Sequence, residues 1–520
     1  MRKPKLDPKI FWPSIIIIVS VLIMLVINPE AGRQTIGRVL DFITHKLDSF
    51  FEWVVLLGFG WLMWIAFGRY GNIKLGRSDE KPEFSTISWI GIMITSGSGM
   101  ALMYWACVEP VFYLIGPPFG IEPNSAEAAK YAITYGIFHW GFSAWALYCL
   151  PAVGIAYAYH VRKSPHLKAS VACEGVLGKY SKGIVGKIID IIILVGLVGG
   201  IGTSLGVVVP LMSACFNEVF GIQQGLWLDT LVIIIWTVMF GTTAYLGLEK
   251  GIKKLSDINT IGAIGLLIFI LIVGPTAFLL SYFGESVGLM FQNFIRLSTY
   301  TDSISKSSWP QSWTVFYWAW WGVYAVYMGL FIARVSKGRT LKEMIIGAVI
   351  WPTVGTAFFY LTLGGYSIDL HFNQGLDMIK VLNEQGGGYL VVTLLKSLPL
   401  SKVLIPLFMV IGFIYQATTF QGAAYTLASM ATDELLPNEQ PAPWHRLFWA
   451  ILLGGVGYVM MVIGGLKVVQ LASVILAAPV FVIILFTVFS FMKWVKQDFG
   501  KMCAPKVITL DNDREEVAQE

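Results

Sequence analysis

From Gln311 to Thr340 the chain reads QSWTVFYWAWWGVYAVYMGLFIARVSKGRT. A bilayer core of about 30 Å is crossed by roughly 20 apolar residues in a helix, so residues 310–333 predict a membrane span. The basic run IARVSKGRT at 332–340 marks where the chain leaves the bilayer. On a helix that turns about 100° per residue, Trp313, Phe316, Trp320, Tyr324 and Tyr327 fall within roughly 80° of one another. One face of the span is therefore paved with rings.

The rest of the chain agrees with a membrane reading. Of 520 residues, 56% are hydrophobic and 13% charged, with a mean hydropathy of +0.68. Soluble domains are usually about one quarter charged, which excludes that class. The 33 Phe, 19 Trp and 21 Tyr also exclude a disordered chain. Applied throughout, the span rule predicts twelve crossings at 11–28, 50–68, 86–115, 130–159, 186–213, 228–247, 258–283, 310–333, 343–366, 402–430, 447–465 and 468–492. The first run lacks a small-residue cleavage site and is kept as a span, not a removed leader.

Twelve spans place both termini on one side. Of the 37 Lys and Arg, 27 lie in the loop set that includes the termini, and the positive-inside bias puts that set in the cytoplasm. A net charge of +5 thus reflects topology and gives no sign of a nucleic-acid partner. Residues 284–297 alternate apolar and polar positions at helical spacing and read as an interfacial helix. The mixed-charge segment from Lys493 to Glu520 reads as a mobile cytoplasmic tail. The five Cys show no metal-ligand spacing and read as packing residues.

The chain has no GxxxxGK[ST] loop for nucleotide hydrolysis, no HExxH and no GxSxG elbow. Few ionisable residues interrupt the spans, which disfavours a membrane enzyme and a channel lined by charged rings. Glu109, beside Pro110 near the end of the third span, reads as a solvated or capped carboxylate, and His139 as a packing residue. The expectation is a carrier that does not meet its substrate's charge with a buried opposite charge.

Rings are the alternative means of recognition. In the fourth span, FHWGFSAWALY spreads Trp140, Trp145 and Tyr148 over a sector of roughly 140°. Membrane Trp and Tyr commonly form belts at the two interfaces, but Trp145, Trp320 and Trp321 lie near the middles of their spans. A quaternary ammonium has no N–H to donate and is held by ring quadrupoles, so a midplane cage of Trp and Tyr suits it. In the third span, TSGSGMALMYWACVEP (Thr95 to Pro110) carries Gly97, Ser98 and Gly99. Each Gly weakens the helix by about 1 kcal/mol relative to Ala. Carbonyls freed there could face a solute or cation, or the glycines could serve a close helix contact.

With WTVFYWAWW at 313–321, IARVSKGRT at 332–340, HWGFSAWALY at 139–148, EFSTISWI at 83–90 and PPFGIEPNS at 117–125, nearly the whole chain resembles the betaine/choline/carnitine transporter family. The resemblance implies an all-α integral membrane protein, a homotrimer of twelve-helix protomers with a core of two inverted five-helix repeats. On that division, residues 1–85 form a cytoplasmic segment and two peripheral helices, and 86–283 the first repeat. Residues 284–309 are an interfacial helix and loop, 310–492 the second repeat and 493–520 the tail. The implied tryptophan box is Trp140, Trp145 and Tyr148 with Trp320, Trp321 and Tyr324.

The resemblance also frames substrate and coupling. Phe112 stands where carnitine-type members have Tyr, and of the three alternating glycines of betaine-type members this chain keeps Gly97 and Gly99 but has Ala101. Sodium-independent exchangers replace one ion with a methionine sulfur, where Met328 stands, and the other with an arginine, where this chain has Asn259. Sodium-coupled members use adjacent hydroxyls matched by Thr418 and Thr419; their other site falls on Leu197 and Ile201, which have none. The expectation is sodium-coupled uptake of a quaternary ammonium solute, betaine or carnitine-like, across a bacterial-type cytoplasmic membrane with no cofactor except a coupling sodium ion. Sodium-independent substrate exchange is the alternative.

Overall fold

Pro8 opens the first helix, where its missing N–H costs nothing, and Asp7 caps it by accepting from the Lys9 N–H. That helix, Pro8–Ile27, is the first of ten among the described residues of the computed structural model that are long and apolar enough to cross a membrane; with each of two bent helix pairs counted as one span the number is twelve. The structure describes residues 4–96, 99–164, 168–247, 249–433, 439–463 and 476–500. The start of the twelfth span, expected at 468, and the tail beyond residue 500 lie outside the described residues.

Burial sorts the spans into centre and periphery. In the most apolar window of the fourth span, Ala126–Val161, 94% of residues are buried by other parts of the protein, against 28% in the first span. The fourth span packs most extensively against the eighth, Gln311–Val335. Glycine permits this approach: a Cβ on Gly329 would lie 3.0 Å from the Ala152 amide nitrogen. Such small residues let membrane helices interlock by packing.

Three spans differ from their sequence outlines. The third is broken as its glycines predict, with Thr86–Ser96 and Met100–Ile115 meeting at 56°. The fourth is also broken, between Ala126–His139 and Phe142–Ala156. The His139 carbonyl at this break accepts from the Trp321 indole N–H at 2.9 Å, and the Trp140 carbonyl from the Thr356 hydroxyl at 2.9 Å. The seventh span, expected to continue to residue 283, stops at Val273. Gly274 and Pro275 turn the chain by 108° into the helix Thr276–Ser298. The amphipathic helix is therefore longer than 284–297 and takes residues assigned to the span, because Pro275 cannot continue the preceding hydrogen-bond ladder.

On the face that carries the N-terminus, residues 73–83 clasp the turn after the eighth span. Leu75 and Gly338 hydrogen-bond, Gly338 N to Leu75 O at 2.8 Å, and Glu83 and Glu80 pair with Arg334 and Lys337, each at 2.7 Å. The Lys337 ammonium holds the Glu80 carboxyl below its ordinary range. Gly338 has φ +79°, and a Cβ there would lie 2.6 Å from the Lys81 carbonyl oxygen. Gly338→Ala is expected to cost about 1–3 kcal/mol, read as a lower midpoint in thermal unfolding of the detergent-solubilised chain.

Candidate functional site

The eighth span presents Trp320, Trp321, Tyr324, Tyr327, Met328 and Phe331 to a cavity of about 400 Å³. Trp140, Trp145 and Tyr148 of the fourth span form its second wall. The third span contributes Thr95, Ser96, Gly99 and Leu102 from both sides of its break. Ser204, Thr260, Tyr415, Thr418 and Thr419 complete the lining from the fifth, seventh and tenth spans. No Lys, Arg, Asp or Glu is among the described lining residues.

Most neighbouring rings stand edge to face, while Trp321 is tilted by 44° to Trp320 and by 49° to Trp145. Trp140 meets Trp321 at 5.0 Å and 88°, and Trp320 at 5.7 Å and 78°. Tyr148 meets Trp321 at 5.1 Å and 72°, and Trp145 at 5.3 Å and 89°. Edge-to-face contact of this kind satisfies the ring quadrupoles while leaving other faces turned inward. All five rings are buried. On the eighth span the lining runs from Trp320 toward Phe331, the end clasped at the N-terminal face. Toward the opposite end aromatic rings pack on one another: Tyr113 lies 4.8 Å from Trp313, Tyr135 4.5 Å from Trp309 and Phe119 4.3 Å from Tyr300.

Two expected site residues stand elsewhere. Phe112 packs on Trp313 at 5.7 Å and on Trp105 at 6.5 Å and is not among the described residues lining this cavity. Asn259 is buried beside the lining, and it is its neighbour Thr260 that reaches the cavity. Leu197 and Ile201 are both buried. Gly97 lies outside the described residues.

The largest departure concerns Glu109. Its side chain is fully buried rather than solvated. It accepts from the Trp140 indole N–H at 2.9 Å, from the Tyr317 hydroxyl at 2.7 Å, and from the hydroxyls of Tyr113 and Tyr360. His139 is joined to the same group: Nδ1 lies 2.8 Å from the Tyr113 oxygen and Nε2 3.0 Å from the Thr314 hydroxyl. The signal was present in the sequence as EPVFY at 109–113, since a carboxylate within an apolar helix needs partners and Tyr113 sits one turn away on the same face. Ser204, Thr260 and Tyr415 were also missed, because single polar residues in apolar spans resemble packing contacts.

A many-span helical bundle with a buried, ring-lined cavity has the architecture of a solute carrier of the membrane. The chain matches the BCCT, betaine/carnitine/choline family transporter, model over residues 9–500 and belongs to that family. It is a transporter and not an enzyme, a multi-pass secondary carrier of quaternary ammonium compounds.

Proposed function

We propose that the cavity between the fourth and eighth spans binds the trimethylammonium group of a betaine or carnitine-like solute and that the protein takes such solutes up by sodium symport. The observation that carries this reading is the cluster in which Trp140 stands edge to face with both Trp320 and Trp321 around a space without cationic side chains among its described lining residues. Ring faces attract a quaternary ammonium that cannot hydrogen-bond, each contact contributing about 0.5–2 kcal/mol. The Trp145 indole N–H has no hydrogen-bond partner among the described residues, and it is the donor available to a carboxylate or hydroxyl at the solute's other end.

For the coupling ion, Thr418 and Thr419 supply two hydroxyl oxygens at the cavity edge. Thr418 donates its proton to the carbonyls of Ile414 and Tyr415, each at 3.0 Å, which leaves its lone pairs for a hard cation. The second reading, sodium-independent exchange, is favoured by Met328, whose side chain lines the same cavity. Vesicles containing the purified chain distinguish the two. Symport predicts that removing the sodium gradient reduces accumulation at least tenfold and that Thr418→Ala does the same. Uptake indifferent to sodium but accelerated by internal solute selects exchange.

In this reading the termini and the clasped face are cytoplasmic, so the structure represents a state closed to the outside. The repeats 86–283 and 310–492 move relative to each other to expose the cavity alternately, and three protomers assemble in a bacterial-type cytoplasmic membrane. Chemical cross-linking in native membranes tests the assembly by yielding a species of three chains.

A further inference from the structure

Glu109 binds no part of the cavity lining except Trp140, yet four membrane spans converge on it. Glu109 and Tyr113 come from the third, His139 and Trp140 from the fourth, Tyr317 from the eighth and Tyr360 from the ninth. Its two oxygens face only donors. One accepts from Tyr113, and the other from Trp140, Tyr317 and Tyr360. An ionised carboxylate is acceptor-only and fits that shell with all four groups donating to it. The chain of donors runs on consistently: with the proton assigned to Nδ1, His139 donates to the Tyr113 oxygen and accepts from Thr314 at Nε2.

Trp140 joins this hub to the cage. Its indole N–H is directed at the carboxylate, and its ring meets both Trp320 and Trp321. The ionised Glu109 places a negative charge one side chain behind the rings that surround the cavity. In a low-dielectric interior such a charge acts across several ångströms.

We propose that Glu109 is a positioning residue for the cage, holding Trp140 by its indole N–H and supplying from behind the ring the negative charge that a quaternary ammonium in the cavity experiences. This rests on the reading of the cavity as the trimethylammonium site. Charge complementarity is then divided between the ring quadrupoles, which touch the solute, and the carboxylate, which does not.

The test compares solutes of the same shape and different charge. Glycine betaine, choline and carnitine are each titrated alongside the tert-butyl isostere in which carbon replaces nitrogen, using tryptophan fluorescence of the purified full chain. Glu109→Gln preserves the shape, and its amide fits if the protons of Tyr113 and His139 reverse. It is expected to weaken the tightest ammonium ligand about tenfold and leave its isostere unchanged, the size given by one unit charge about 12 Å away at an effective dielectric of about 20. Unchanged ammonium affinity, or equal loss for both members of the pair, overturns the proposal. If Glu109→Gln does not fold, Trp140→Phe keeps a ring and removes the indole N–H. It leaves the carboxylate in place and tests the positioning role: ammonium affinity is expected to fall several-fold, and an unchanged affinity overturns the proposal. Should the parent chain bind none of the three ammonium solutes, the reading of the cavity fails instead.

Discussion

Trp140→Leu is expected to weaken binding of the transported quaternary ammonium solute at least a hundredfold and to abolish saturable uptake by reconstituted vesicles. A lost cation and ring contact alone is worth about 0.5–2 kcal/mol. Trp140 does more than present a face: it meets two other cage rings and gives its N–H to Glu109. Truncation opens space beside Trp320 and Trp321 and leaves a buried carboxylate short of a donor, which adds a loss of order 1–3 kcal/mol. A hundredfold change corresponds to about 2.7 kcal/mol, within that combined range. The dissociation constant from fluorescence titration and the initial uptake rate check it together. Binding as tight as the parent's would refute the cage.

The second large effect is on folding. At Gly347 in the ninth span, Leu341–Phe372, a Cβ would sit 1.9 Å from the Trp89 ring of the third span. Trp89 is buried, and the Arg339 guanidinium lies 4.2 Å from its ring centroid, so the indole has little room to retreat. Gly347→Leu is expected to cost more than the roughly 1–3 kcal/mol of ordinary overpacking, because a rigid ring and a helix backbone collide. Little or no monodisperse protein should be recovered by size exclusion after detergent extraction. A parent-like yield and thermal midpoint would mean that the third and ninth spans separate readily.

The sequence made the membrane class and most span positions legible because length and apolarity are local properties. The mid-span rings at Trp320, Trp321 and Trp145 pointed to the cavity for the same reason: helical periodicity places them without knowledge of other helices. What stayed hidden in the sequence has a common physical source. Phe112, Asn259 and Glu109 are placed by their neighbours in space, and the approach of the tyrosines at 317 and 360 to Glu109 cannot be inferred from a single window of sequence. The bend after Val273 was visible as Gly274 and Pro275, but apolarity continues through Phe283, and hydropathy dominated over turn chemistry.

The break at Trp140 and Gly141 has a mechanical meaning. Two carbonyls that an uninterrupted helix would satisfy internally are instead held by Trp321 of the eighth span and Thr356 of the ninth. The fourth span thus resembles a jointed rod whose pin is made by its neighbours: its halves cannot change angle without releasing a cage ring on one side and a ninth-span hydroxyl on the other.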